Sequence, residues 1–170
     1  MKVINLVGGP GCGKSTTAAG LFYELKRRDY SVELVTEYAK SRVWEDSLRT
    51  LNDQIYVFGK QHHMQWKLLG NVDYVITDTS LLFGLIYGGL QVTPAFEELV
   101  IEDFKRFDNI CYFLKRDGVK FEQSGRIQNL EASEKIDKDL IGIMNKHEIP
   151  FIEVPSVSAV EDILGQLIGK

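Results

Sequence analysis

The chain has 170 residues, of which 44% are hydrophobic and 26% are charged, and its formal net charge is −4. These values are typical of one globular domain, and the length is too short for two domains of ordinary size. The acidic balance argues against a protein whose whole surface binds nucleic acid, although it leaves room for a local basic cleft. The longest apolar stretch, residues 81–90, is interrupted by glycines and is too short to cross a bilayer.

The cysteine content and the N-terminus predict a cytoplasmic protein. Two cysteines, Cys12 and Cys111, are too few for a disulfide framework and suit a reducing compartment. The first predicted strand begins so early that no signal peptide fits before it. We therefore expect a single domain over residues 1–170 with no membrane segment, and the sequence makes no prediction of subunit number.

The motif around which the chain is organised runs from Gly8 to Ser15 and has the form G-x-x-x-x-G-K-[ST]. An apolar run over residues 3–7 predicts a buried strand before it, and helical spacing over 17–28 predicts a helix after it. Strand, glycine-rich loop and helix form the context in which this motif binds phosphate, and the alternative is an ordinary glycine-rich turn. The predicted nucleotide contacts are Gly9, Gly11, Cys12, Gly13, Lys14, Ser15 and Thr16.

Within the motif, two side chains have distinct predicted roles. Lys14 would reach the β- and γ-phosphates of ATP, and Ser15 would place its hydroxyl on Mg²⁺.

Strands and helices alternate along the rest of the chain. Residues 31–36 predict the second strand, and a short helical stretch follows through Trp44. A long helix is predicted over residues 53–69, capped by Asn52-Asp53, with Ile55 and Phe58 among its core positions. Residues 72–77 predict the third strand, and residues 81–87 predict a short helix.

The second half of the chain continues the same pattern. Thr93-Pro94 predicts the start of a helix that runs to Phe107 and includes Leu99 on its apolar face. The fourth strand is predicted over 110–114, a polar surface lid over about 115–129, a helix over 131–146, the fifth strand over 151–154 and a closing helix over 160–168.

This alternation predicts a parallel sheet that is covered by helices on both faces. Right-handed crossovers place the carboxyl ends of the strands along one edge, where ligands bind in open α/β sheets. The phosphate loop, Glu37, Asp78 and the segment from Lys115 should therefore meet at one edge.

Two acidic residues follow predicted strands at this edge. Asp78 is the candidate to hold Mg²⁺, and the alternative is a cap for the next helix, a place that Ser80 fills equally well. Glu37 is the candidate general base, since a carboxylate there can accept the proton of an attacking hydroxyl. The alternatives for Glu37 are a second metal-associated carboxylate and a surface glutamate.

The predicted lid carries cations that can close on the charge that develops during phosphoryl transfer. Arg116 and Arg126 are the candidates for this role, Lys120 is a weaker one, and the alternative for each is a solvated loop charge. Trp44 and Gln61 are candidates for binding a nucleobase, because an aromatic wall and an amide are what such a pocket needs.

These residues resemble those of the small P-loop kinases of the nucleoside and nucleotide kinase group. In particular, the chain resembles the ribosylnicotinamide-kinase-like family that many bacteriophages encode. The matching segments are residues 8–16, 35–39, 76–80 and 125–126, together with the helix that carries Gln61. The resemblance implies a P-loop NTPase three-layer α/β sandwich with five parallel strands in the order 2-3-1-4-5. It also implies that Glu37 is the general base, whereas Thr79 stands where deoxynucleoside kinases have arginine.

The expected function is a Mg²⁺-ATP-dependent kinase that acts on a hydroxyl of a nucleoside-like acceptor. Phage proteins that the chain resembles phosphorylate the 5-hydroxymethyl group of 5-hydroxymethyluracil within DNA, which makes that base the leading specific expectation. A base within DNA would have to be flipped out or presented single-stranded. The alternatives are a free nucleoside or nucleoside monophosphate kinase, a P-loop ATPase that drives a partner protein, and a nucleotide-binding module without turnover.

Overall fold

The computed structural model describes residues 1–45, 48–118 and 129–169, with Trp44 and Leu48 described by their backbone alone. The strands are β1 (Lys2–Val7), β2 (Val32–Val35), β3 (Tyr74–Thr77), β4 (Asp108–Lys115) and β5 (Phe151–Pro155). The α-helices are α1 (Lys14–Arg27), α2 (Tyr38–Trp44), α3 (Leu48–Leu51), α4 (Gln54–Trp66), α5 (Phe83–Tyr87), α6 (Pro94–Lys105), α7 (Leu130–Lys146) and α8 (Ala159–Ile168). The predicted lid, with Lys120 and Arg126, lies mostly outside the described residues.

The five strands form one sheet in the order β2-β3-β1-β4-β5. Every neighbouring pair is parallel, so the carboxyl ends of all five strands lie along one edge. The strand order and direction confirm the prediction. Val35 of β2 is in register with Thr77 of β3, so Glu37 and Asp78 leave the sheet side by side.

Two hydrophobic clusters cover the two faces of the sheet. Alternate residues of β1 divide between them: Val3 and Val7 face one cluster, and Ile4 and Leu6 face the other. Buried side chains of α4, α5, α6 and α7 complete the first cluster, and those of α1 and α8 complete the second. The three-layer arrangement follows from this alternation, because each face must bury its own apolar side chains.

The starts of three helices are stabilised by side-chain caps. Thr93 accepts a hydrogen bond from the backbone N–H of Phe96 at 3.2 Å, and Pro94 occupies the first helical position, as predicted. Asp53 caps α4 in the same way, as its sequence predicts, and Asn129 caps α7.

Some predicted core positions are wrong. Ile55 is 58% exposed and Leu99 is 46% exposed, although both were predicted to face the core. The buried residues of α4 are Phe58, as predicted, and also Gln54, Gln61 and Gln65. Because three of these four are glutamines, hydrophobicity alone does not mark the buried face of this helix. The short helix α3 was also not predicted.

Within the described residues, the longest apolar helical stretch falls short of what a bilayer crossing requires.

Candidate functional site

The loop between β1 and α1 has the geometry of an anion site. Gly13 caps α1 with φ 91°, a left-handed conformation that a residue with a Cβ adopts only with strain. No side chain caps this helix, and its first turn contains no acidic residue. The first N–H groups and the positive end of the helix dipole therefore face outward without a neutralising group of the helix's own.

Lys14 folds back over the loop that precedes it. Its Nζ donates hydrogen bonds to the carbonyl oxygens of Gly8, at 2.6 Å, and Gly9, at 3.0 Å. The same ammonium group lies 5.6 Å from the centre of the Phe83 ring, on α5. These contacts hold the lysine beside the loop, where its charge can meet a phosphate.

Asp78 follows β3 and lies directly against the start of α1. Its Oδ2 accepts a hydrogen bond of 2.8 Å from the hydroxyl of Ser15. The residue is only 5% exposed, and its Oδ1 has no hydrogen-bond partner among the described residues. A buried carboxylate oxygen without a partner is costly unless a ligand satisfies it.

A carboxylate and a hydroxyl in contact match the oxygen ligands that Mg²⁺ prefers. No cluster of three or more His, Cys, Asp or Glu occurs in the described parts of the chain. Mg²⁺ is usually bound by one or two carboxylates and completes its coordination with substrate phosphates and water. The donor set therefore fits magnesium.

Glu37 occupies the N-cap position of α2 with an extended backbone (φ −64°, ψ 116°), but its side chain forms no capping hydrogen bond with the helix. The peptide groups on both sides of it are bound by one side chain. Gln61 Nε2 donates to the carbonyl of Thr36 at 3.3 Å, and Gln61 Oε1 accepts from the backbone N–H of Tyr38 at 3.0 Å. Gln61 is 4% exposed, and both of these hydrogen bonds are partly buried.

One cavity of about 340 Å³ joins the phosphate loop to Glu37. Tyr87 also lines this cavity. The pKa of its phenol is raised mainly by desolvation and, to a smaller extent, by the charge of Glu37. The predicted site residues that line the cavity are Gly11, Gly13, Lys14, Ser15, Thr16, Glu37, Gln61 and Asp78. Its apolar and aromatic lining includes Val43, Val57, Phe58, Leu81, Phe83 and Tyr87. The cavity thus combines polar groups of the phosphate loop, Glu37 and Asp78 with apolar and aromatic side chains.

The outer side of the loop is fixed by α7. Asp137 Oδ1 accepts from the backbone N–H of Gly9 at 2.5 Å, and its Oδ2 accepts from Arg116 Nε at 2.9 Å. Arg116 also donates to the carbonyl of Pro10 at 2.9 Å and to the Ser133 hydroxyl, which in turn donates to the same carbonyl at 2.6 Å. These bonds fix the first half of the loop against a helix that begins beyond the predicted lid.

The structure thus brings together Lys14, Ser15, Glu37, Asp78 and Gln61. Two predicted loop contacts, Gly9 and Cys12, do not line the cavity. Arg116 does not line it either, because its guanidinium group is bound on the outer side of the loop. The side chain of Trp44 and all of Arg126 lie outside the described residues, and their roles, like that of Arg116, stay predictions.

The residues of this region that were not predicted include Asp137 and Ser133 behind the loop, and Phe83 and Tyr87 in the cavity wall. Phe83 and Tyr87 occur one helical turn apart in the predicted helix at 81–87, which is a local signal. Asp137 and Ser133 are polar positions of an amphipathic helix and carry no such signal.

The comparisons with known proteins agree with this fold. A model of the AAA domain family matches residues 3–161. No curated protein is significantly similar in sequence. Among solved structures, the chain is similar to a deoxyadenosine kinase from M. mycoides with bound dATP, with a TM-score of 0.57 and 21% identity. The match covers 98% of this chain and 99% of that chain, and it confirms the predicted P-loop nucleotide-kinase fold.

Proposed function

The chain belongs to the AAA domain family of P-loop proteins, and we propose that it is a kinase that transfers the γ-phosphate of ATP to a hydroxyl group of a nucleoside-like acceptor. The observation that carries this proposal is the shared cavity, which is lined both by the phosphate loop and by Glu37. A phosphate-binding site and a carboxylate in one cavity are what transfer to an alcohol requires.

In the proposed reaction, the bond between the γ-phosphorus and the bridging oxygen of ATP breaks as the acceptor oxygen bonds to phosphorus. The hydroxyl proton passes to the Glu37 carboxylate, and ADP leaves. Lys14 and the N–H groups at the start of α1 bind the phosphates and stabilise the charge that spreads over them. The apolar wall excludes water, which favours transfer to the acceptor over hydrolysis.

Ser15 and Asp78 would hold Mg²⁺ beside the phosphates. The ion would neutralise phosphate charge and orient the triphosphate. The contact between the Ser15 hydroxyl and Asp78 Oδ2 keeps both oxygens close together, and the buried Oδ1 is available as a further ligand.

The acceptor class is supported by the size and chemistry of the cavity. A volume of about 340 Å³ is within the usual range for small-molecule sites, and the aromatic residues Phe58, Phe83 and Tyr87 offer surfaces for a base or sugar. The structural likeness to a deoxyadenosine kinase supports a free nucleoside. The sequence resemblance supports 5-hydroxymethyluracil in DNA, and an acceptor panel distinguishes this base from a free nucleoside.

The test is an acceptor panel with γ-labelled ATP. It compares the four deoxynucleosides, their monophosphates, free 5-hydroxymethyldeoxyuridine, and single- and double-stranded DNA with and without 5-hydroxymethyluracil. We expect the labelled phosphate to appear on a nucleoside-like acceptor and not on any protein in the assay. Label that appears only as free phosphate would favour the ATPase, and nucleotide binding without any label release would favour a binding module.

Glu37→Gln tests the base. The variant should lower kcat about 10²–10⁴-fold, the range of general-base effects, while ATP still binds. Glu33→Gln is the matched control, since Glu33 lies on β2, the strand that precedes Glu37, pairs with Lys26 at 3.5 Å and does not line the cavity. Near-normal turnover of Glu37→Gln would remove Glu37 from the base role.

A further inference from the structure

The side chain that connects α4 to the start of α2 is Gln61. Its amide forms one hydrogen bond on each side of Glu37: it donates to the Thr36 carbonyl at 3.3 Å and accepts from the Tyr38 N–H at 3.0 Å. We propose that Gln61 is a positioning residue that holds the backbone of Glu37, and so aims its carboxylate into the cavity. This inference rests on the proposed base role of Glu37.

The local structure explains why this position needs an external partner. Tyr38 is the first residue of α2, so its N–H has no acceptor within the helix. The Glu37 side chain, which occupies the capping position, does not satisfy it. Gln61 therefore takes the role that a capping side chain at position 37 would otherwise have.

Only a primary amide forms both bonds. Tyr38 supplies a donor and Thr36 an acceptor, and the amide of Gln61 offers the complementary acceptor and donor on adjacent atoms. A carboxylate at position 61 would lack the donor, and a methionine would lack both groups. Both hydrogen bonds are partly buried, so water should replace the lost bonds only in part.

The two hydrogen bonds fix the peptide planes that flank Glu37. With both planes held, the backbone angles of Glu37 are fixed, which sets the direction in which its side chain leaves the backbone. A base works only within hydrogen-bond reach of the proton it accepts, and a displacement of about 1 Å in such a site can cost 10²-fold in rate. The amide of Gln61 therefore acts on turnover through Glu37.

The competing role for Gln61 is direct reading of the acceptor base. The amide retains one hydrogen and one lone pair beyond the two bonds described, and the residue lines the cavity. The two roles predict different kinetics. Base reading affects acceptor KM and base preference, whereas positioning affects kcat for every acceptor.

The experiment is a double-mutant cycle of Gln61→Met and Glu37→Gln, measured with the best acceptor of the panel. Gln65→Met is the matched control, because Gln65 lies one turn further along α4, is 1% exposed and does not line the cavity. Backbone amide exchange at Tyr38 is measured in the same proteins as a readout that does not depend on activity.

We expect Gln61→Met to lower kcat about 10–100-fold with little change in acceptor KM or base preference. The same substitution should cause no further loss in the Glu37→Gln background, because the group that it positions is already absent. Exchange at Tyr38 should accelerate in Gln61→Met and stay unchanged in Gln65→Met.

Several outcomes would overturn the inference. Losses that multiply in the double variant, or a change confined to acceptor KM and base preference, would assign Gln61 to base reading instead. If Glu37→Gln loses turnover and Gln61→Met behaves like Gln65→Met, the positioning role fails and the proposed function stands. If Glu37→Gln keeps turnover, the base role fails, and the positioning role fails with it.

Discussion

Replacing Asp78 with asparagine should raise the stability of the free protein and remove its response to magnesium. Asp78 is buried, and its Oδ1 has no hydrogen-bond partner among the described residues. An asparagine keeps an acceptor for the Ser15 hydroxyl, which now bonds Oδ2 at 2.8 Å, and removes the charge from the unpartnered end. An unsatisfied buried group costs about 1–3 kcal/mol, and more when it is charged.

The expected gain for Asp78→Asn without metal is about 1 kcal/mol, since one polar group stays unpartnered after the exchange. For a chain of this length, that corresponds to a rise in Tm of about 2–4 °C. In the original protein, Mg²⁺-ATP at 100 times its Kd should add about 2.7 kcal/mol. The variant should lose the part of this increment that depends on magnesium.

The assay is thermal unfolding in EDTA and in MgCl₂, each with and without ATP. The control is Asp103→Asn, because Asp103 is also buried but pairs with Arg106 at 2.9 Å and His62 at 3.4 Å and does not line the cavity. That variant should lower Tm and keep the full response to Mg²⁺-ATP. A lower Tm of Asp78→Asn in EDTA, or an unchanged magnesium increment, would refute the reasoning.

Other substitutions test the loop and the fold separately. Lys14→Ala should abolish phosphoryl transfer and leave the circular dichroism spectrum unchanged, and retained transfer would contradict the phosphate-loop assignment. Gly9→Ala should lower the free energy of unfolding by about 1–3 kcal/mol in urea, because its Cβ would lie 2.7 Å from Ser133 Oγ. An unchanged urea midpoint would contradict this, since it would show that α7 and the loop move apart at little energetic cost. Thr93→Ala should cost about 1 kcal/mol through loss of the cap on Phe96, and Thr93→Ser should keep most of that stability.

The fold could be predicted from the sequence because each strand carries its own signal. Short apolar runs such as Val3–Val7 are buried on both faces, and polar, helix-forming segments separate them. The same reasoning failed on α4, where the buried stripe contains Gln54, Gln61 and Gln65. Hydrophobic periodicity cannot identify a face whose buried side chains are amides, and it therefore placed Ile55 in the core.

The candidate site likewise contains some residues that the sequence predicts and others that it does not. Residues that follow strands or belong to the glycine motif, such as Lys14 and Asp78, could be identified from local context. The groups that fix the loop from behind could not: Asp137 is 128 positions from Gly9, and Ser133 is 123 positions from Pro10. Only the packing of α7 against the loop brings these groups together, and no local pattern encodes that packing.

The order of the strands arranges the proposed chemistry across the cavity. β2 leads to Glu37, β3 leads to Asp78 and β1 leads to the phosphate loop, and β3 lies between the other two. Neighbouring strands are about 4.8 Å apart, so the strand that leads to the proposed base is about 10 Å from the one that leads to the loop. Asp78, the proposed magnesium ligand, follows the strand that lies between these two. Because α7 holds the loop and Gln61 holds Glu37, the two ends of this arrangement are fixed by different helices, and a change in either helix should alter turnover without contacting a substrate.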